Sequence, residues 1–413
     1  MQKTLPRLLE ATLSDRLKRS PVAVLTGARQ TGKTTLVQAL PEAANRRFVT
    51  LDRLTALDLA RREPEPLVAS APRMTIDEVQ RAPELLLAVK RSVDEDRRPG
   101  RFLLTGSANL LLLRSTAESL AGRVLYLVLR PLTPREKRRD ISPPLWSALL
   151  TAGSALAALD ALGEHHPFDW RLEALEGGLP PAALAVDPQD RQLWLEGYVD
   201  TYLQRDLRDL TQVGDLAAFS RLMRLAALRG GGLINYTDLA RDAATSRATA
   251  QRWLSVLEAS FVISLVQPFT EARAKRLIKA PKLYALDTGL ALHLAGVTDR
   301  DGIDEMVNAG AVLENLVLND LLVWRETEIR KPGVFYRRTA SGEEIDFIIE
   351  SGRRLLPIEV KAARTLRSAD AKALDRFCAE FGRRAPFGIV IYDGRDRERL
   401  SARVAALPLG SVL

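Results

Sequence analysis

Gly27-Ala28-Arg29-Gln30-Thr31-Gly32-Lys33-Thr34 decides how this chain is read. The spacing G-x-x-x-x-G-K-T follows the apolar run Val22-Ala23-Val24-Leu25 and precedes Thr35-Leu36-Val37-Gln38-Ala39-Leu40, which has the composition of a helix. A strand, a glycine-bearing loop and a helix start, in that order, make an anion cradle. Successive backbone N–H groups wrap phosphates, and the helix N-terminus adds a favourable dipole. The cradle is expected to be Gly27, Ala28, Arg29, Gln30, Thr31, Gly32, Lys33, Thr34 and Thr35. Lys33 reaches the β and γ phosphates and the Thr34 hydroxyl holds magnesium, so the implied ligands are ATP and Mg2+.

Outward from that loop, residues 4–20 carry an amphipathic helical pattern. Strands are expected at 48–52, 74–78, 101–105 and 124–129. Helical patterns fall at 52–68, broken by Pro64 and Pro66, and at 83–91. Strands alternating with helices predict a parallel α/β sheet covered on both faces, with ligands at the carboxyl ends of the strands. This P-loop domain is expected over 1–135. Residues 136–214 turn helical and are read as a lid or linker. Over 215–295, three helical patterns precede strand-like runs at 261–266 and 282–286, the outline of a winged helix-turn-helix. In the third helix Ala250, Trp253, Leu254 and Leu257 recur at core spacing, so Arg247, Gln251, Arg252 and Ser255 face outward. With Arg273, Lys275 and Arg276 between the strands, Arg247, Gln251 and Arg252 form the candidate DNA-contacting set. Residues 296–413 read as a further α/β domain, with one long helix at 305–324, strands at 334–338, 344–350, 355–361 and 387–392, and a helix near 367–382.

Two sets of side chains can do chemistry. In the first domain, Asp77 can anchor the magnesium shell through water, and Glu78 can polarise the attacking water. Ser107 or Thr105, at the next strand end, orients that water or is an ordinary turn hydroxyl. Arg123 neutralises phosphoryl charge from a subunit boundary, which requires a homo-oligomer, or is a plain surface arginine. In the last domain, Glu359 and Lys361 share one strand face, and Asp346 lies upstream on a neighbouring run. Glu314 sits on an apolar helix stripe, costly there unless paired or metal-bound. Asp346, Glu359 and Glu314 are candidate metal ligands with Lys361 assisting water, a phosphodiester-cleaving arrangement; the alternative is an ordinary Glu–Lys pair.

Composition bounds the rest. The net charge of +8 favours polyanion partners. One cysteine, Cys378, excludes an internal disulfide and a cysteine zinc cluster. The uncharged, alanine- and leucine-rich stretch 145–159 is too short to span a bilayer, so a cytoplasmic location without membrane contact is expected.

These motifs, with Leu51-Asp52, Ile76-Asp77-Glu78-Val79-Gln80, Leu104-Thr105-Gly106-Ser107 and Leu120-Ala121-Gly122-Arg123, resemble the prokaryotic AAA-type ATPases that carry a C-terminal domain of unknown function. Later motifs agree in order: Glu176-Gly177-Gly178, Tyr198-Val199-Asp200-Thr201-Tyr202-Leu203, Arg205-Asp206-Leu207, Lys282-Leu283-Tyr284, Asp287-Thr288-Gly289-Leu290 and Ile358-Glu359-Val360-Lys361. The resemblance implies an ATPase core, a winged-helix-like middle and a C-terminal domain similar to the PD-(D/E)XK nuclease fold, with Asp346, Glu359, Lys361 and Glu314 at the matching positions. Two functions follow as expectations. One is a Mg-dependent ATPase acting on DNA with a metal-dependent nuclease domain. The other is a nucleotide-gated regulatory protein whose nuclease fold is inert.

Overall fold

A computed structural model describes residues 4–107, 122–163, 165–201, 215–276, 279–339 and 341–413. The chain divides into two compact units, 1–132 with 256–262, and 133–255 with 263–413.

In the first unit, β1 (Val22–Thr26), β2 (Arg47–Thr50), β3 (Met74–Asp77), β4 (Phe102–Gly106) and β5 (Val124–Val128) form a sheet in the order β2-β3-β4-β1-β5. Every pairing is parallel. The period of two along β1 sorts its side chains. Val22 and Val24 join the core under α3 (Leu54–Arg62), α4 (Pro64–Ala69) and α5 (Leu85–Glu95). Ala23 and Leu25 join the core under α1 (Leu9–Arg19) and α2 (Lys33–Ala39). Both faces are buried, which is why the strand reads as an unbroken apolar run. Each fully buried Val or Leu contributes roughly 1.5–3 kcal/mol. Because the strands are parallel, the residues after β1, β3 and β4 emerge at one edge.

The second unit is built on an eight-stranded mixed sheet in the order β12-β13-β11-β10-β9-β8-β6-β7. Its strands are β6 (Ile263–Pro268), β7 (Lys282–Ala285), β8 (Gly333–Arg338), β9 (Glu344–Ser351), β10 (Arg354–Lys361), β11 (Gly388–Tyr392), β12 (Glu398–Arg399) and β13 (Val404–Pro408). Phe347, Ile349, Ile358 and Ile389 face the long helix Ala309–Thr327, while Ile348, Leu355 and Val390 face the helix Lys372–Phe381.

The packing does not follow the expected boundaries at 214 and 295. The β6–β7 hairpin, expected to belong with the three helices alone, also pairs with β8 through Gln267↔Phe335 and Pro268↔Tyr336. An exposed strand edge recruits whatever strand lies beside it. The expected linker joins the same core: Trp146 and Trp170 are buried in it, and the Trp146 Nε1–H donates to Asp320 Oδ2 on the long helix at 2.6 Å.

Asp287 ties two motifs together. Its Oδ2 accepts from Gly178 N at 2.6 Å and Leu179 N at 3.1 Å, and its Oδ1 caps the helix Thr288–Ala295 by accepting from Leu290 N at 2.8 Å. A Cβ on Gly177, held at φ +65°, would lie 2.5 Å from Asp287 Oδ1. Among the described residues no helix is long and apolar enough to cross a membrane.

Candidate functional site

The phosphate loop starts where β1 stops. Gly27 sits at φ +149°, and a Cβ there would lie 2.2 Å from the Leu129 carbonyl oxygen, so only glycine fits. Gly32 takes φ +90° at the N-cap of α2. Arg29, Gln30 and Thr35 are exposed, while Ala28 and Thr31 are buried. Lys33 is only 5% exposed, and its ammonium donates to the Gly27 and Ala28 carbonyls at 3.2 and 2.8 Å. Burial pushes it down to about 8, against the opposing charges of Glu78 and Asp77. The loop is also held from outside: Arg7 donates to the Thr31 carbonyl at 2.8 Å and the Arg130 carbonyl at 2.5 Å. The sequence reading gave Arg7 no role, since nothing local marks an arginine before the first helix.

The strand ends meet this loop. The Thr34 hydroxyl lies 3.1 Å from both Asp77 oxygens, and Thr105 Oγ1 donates to Asp77 Oδ1. A hydroxyl beside a buried carboxylate, with phosphates to complete the shell, is the donor set that magnesium takes at such loops. The glycine cradle and this pair fit Mg-nucleotide.

Glu78 holds a left-handed backbone at φ +58°. Such conformations persist in non-glycine residues where the surroundings enforce them. Its carboxylate accepts from Ser107 Oγ at 3.2 Å and from Gln80 Nε2, and Gln80 also donates to Ser107 at 3.0 Å. Ser107 therefore touches Glu78, and Thr105 touches Asp77. Gln80 completes the cluster and was visible in sequence only as a neighbour of Glu78.

Arg123 is not brought to its own loop. It precedes β5, whose Val124 pairs with Val22, whereas the loop follows Thr26 at the other end of β1. Five residues of strand separate the two edges by roughly 16 Å. The Arg123 guanidinium instead pairs with Asp94, at 2.6 Å through Nε and 3.1 Å through Nη2. Leu120 and Ala121 lie outside the described residues, as do 202–214 with Arg205 and Asp206.

In the second unit the expected acidic residues converge, with a cation already among them. Lys282 of β7 lies 3.4 Å from Glu314 Oε2 and 3.8 Å from Asp346 Oδ1, and it pairs with Glu344. Tyr284 donates to the same Glu314 oxygen at 3.0 Å. Asp346 Oδ2 accepts from Val360 N at 2.8 Å, and Lys361 pairs with Glu359 at 2.6 Å. Burial first, then the Asp346 charge, raises Glu314 and Glu359 above the usual carboxylate range. Among the described residues no group of three or more Asp, Glu, His or Cys is placed to hold a metal ion. Glu314, Asp346 and Glu359 therefore do not fit the expected metal site. Lys282, whose charge answers two of those carboxylates, had no role expected from the sequence.

On the helix Arg247–Ala259, Ala250, Trp253, Leu254 and Leu257 are buried, while Arg247, Gln251, Arg252 and Ser255 are exposed. Arg276, expected among the DNA-contacting residues, is instead buried. It pairs with Glu350 at 2.6 Å and lies 4.8 and 4.4 Å from the Phe269 and Phe335 ring centroids. A guanidinium so engaged is withdrawn from any phosphate backbone. The side chains of Arg273 and Lys275 lie outside the described residues.

The comparisons with known proteins agree with the loop. The uncharacterized proteins Rv2008c of Mycobacterium tuberculosis and Mb2031c of Mycobacterium bovis are each 32% identical over 409 residues, 98% of this chain and 83% of theirs. The chain belongs to their family. Within it, residues 19–137 match the AAA domain, so the first unit carries a P-loop ATPase domain of the AAA kind. Residues 168–301 and 309–412 match two domains of unknown function, DUF8612 and DUF4143. Similar solved structures include the Walker-type ATPase paby2304 of Pyrococcus abyssi, 14% identical, covering 71% of this chain and 96% of that one at a TM-score of 0.41. A RuvB variant of Thermotoga maritima is 17% identical, covering 66% and 94% at a TM-score of 0.29.

Proposed function

We propose that the chain is a magnesium-dependent ATPase that hydrolyses ATP at the carboxyl edge of its first sheet. The observation that carries this is the joined pair of strand ends: Thr34, Asp77 and Thr105 in one hydrogen-bonded set, Glu78, Ser107 and Gln80 in the next. Bound Mg-ATP supplies the phosphoryl group and the charge that activates it. Lys33 exchanges two backbone carbonyls for phosphate oxygens. Thr34 and Asp77 hold the metal shell, and Glu78 takes the proton of the attacking water while Ser107 and Gln80 fix its direction. Replacing Glu78 by Gln keeps the Ser107 and Gln80 neighbours but removes the base. Turnover is expected to fall roughly 10²–10⁴-fold with nucleotide binding retained. Unchanged turnover would sink the assignment.

The exposed row Arg247, Gln251 and Arg252 supports DNA as the partner, with the three helices and hairpin acting in the manner of a winged helix. Arg123 enters catalysis only in a homo-oligomer, where it would face the loop of another copy. The ion pairing at Lys282 favours a second reading for the C-terminal domain: a nuclease-like fold used as a nucleotide-responsive scaffold. ATP turnover measured with and without single- and double-stranded DNA separates the readings, since a scaffold acting on protein leaves turnover indifferent to both.

A further inference from the structure

We propose that the Lys282 ammonium stands in place of a divalent cation in the second unit, so that this nuclease-like site is closed to metal by its own chain. The inference is independent of the ATPase reading. Three elements meet at Lys282: the hairpin that carries it, the long helix through Glu314, and β9 through Glu344 and Asp346. A metal taking Glu314 and Asp346 as ligands would be placed against a fixed positive charge 3.4 Å and 3.8 Å from those oxygens. Like charges at that range disfavour each other strongly in a buried site.

The two central groups are also buried. Lys282 is 3% exposed and Asp346 6%. The glycine loop after the helix Leu216–Leu228 lies over the cluster: Gly231 N donates to the Leu283 carbonyl at 2.7 Å, and Leu283 N donates to the Gly232 carbonyl at 3.0 Å. Gly231 holds φ +75°, and a Cβ there would lie 2.6 Å from the Ala311 Cβ and 3.6 Å from Glu314 Oε2. The loop comes this close because it has no side chain. The loop and β7, paired in this way, cover the cluster on the side of Glu314. Tyr284, on the same strand, also donates to Glu314, so β7 supplies two donors to this helix carboxylate.

The test uses the full chain without nucleotide and Mn2+ alone as probe, with free Mn2+ read by electron paramagnetic resonance. The wild type and Asp346→Asn are expected to titrate identically. Lys282→Ala, and the longer uncharged Lys282→Gln, are expected to bind Mn2+ roughly tenfold or more tightly than wild type once the competing charge is gone, and Asp346→Asn added to either is expected to abolish the gain. A Mn2+ bound by the wild type and lost in Asp346→Asn overturns the proposal. So does a folded Lys282 variant, checked by circular dichroism, that gains nothing. If both Lys282 variants unfold, the wild-type and Asp346→Asn titrations still decide it.

Discussion

Lys33→Met should stabilise the nucleotide-free protein while removing its ligand. The folded chain pushes this lysine from 10.5 down to about 8, mostly by burial. That drop is equivalent to about 3 kcal/mol borne by the charged form. Against it stand the hydrogen bonds to Gly27 and Ala28, worth about 1 kcal/mol each. Methionine keeps the length and removes the charge, so the balance is a gain of about 1 kcal/mol below pH 8. The sign follows from proton binding. Between pH 8 and 10.5 the unfolded lysine holds a proton that the folded one has released. Wild-type stability therefore rises by about 3 kcal/mol across that window while the variant's does not, so the gap closes and then reverses in favour of wild type. Thermal melts read by fluorescence should place the nucleotide-free variant level with or a few degrees above wild type at pH 7. Excess Mg-ATP should reverse the order, raising wild type alone by about 2.7 kcal/mol at a hundred times its Kd. A variant melting well below wild type at pH 7, or a gap indifferent to pH, would refute the reasoning.

Other substitutions probe the second unit. Asp287→Ala strands the N–H groups of Gly178, Leu179 and Leu290, and urea unfolding should show a loss of roughly 3 kcal/mol or more; an unchanged midpoint would remove the tie between the two motifs. Asp320 is pushed up to about 6 by burial, so the folded state holds its proton more tightly than the unfolded chain, and stability is lost as pH rises from 3.8 to about 6. Asp320→Asn keeps an acceptor for Trp146, so it should flatten that slope and gain about 1–3 kcal/mol at pH 7; a pH profile parallel to wild type would contradict this. Arg276→Glu faces Glu350 with a second buried carboxylate and should lower stability by about 3–5 kcal/mol. Arg252→Glu should leave the melt unchanged and shift the log–log salt slope of DNA binding by about 1; equal effects of the two on folding would refute the division.

Where a short segment determines its own backbone, the sequence was enough. The phosphate loop declared itself because glycines at fixed spacing have few other uses beside a strand and a helix. The first sheet declared itself because strands buried on both faces leave continuous apolar runs such as Val22–Leu25. What stayed hidden depends on distant partners. Arg276 looked like one of several free cations because Glu350 lies 74 residues on. Lys282 stood in a recognised motif, yet its purpose needs Glu314 and Asp346 from two other elements. Arg7 holds a carbonyl 24 residues away. The strand Val404–Pro408 is alanine-rich and has a single β-branched residue, so its own composition signals little; its place comes from pairing with β11.

The backbone at Glu78 has an evolutionary corollary. A left-handed conformation at φ +58° burdens any residue but glycine by roughly 1–2 kcal/mol. Selection for heat resistance alone, with no demand for turnover, would drift towards Glu78→Gly and discard the carboxylate proposed as the base. The persistence of glutamate among descendants of this gene would thus serve as a record that its chemistry was still in use.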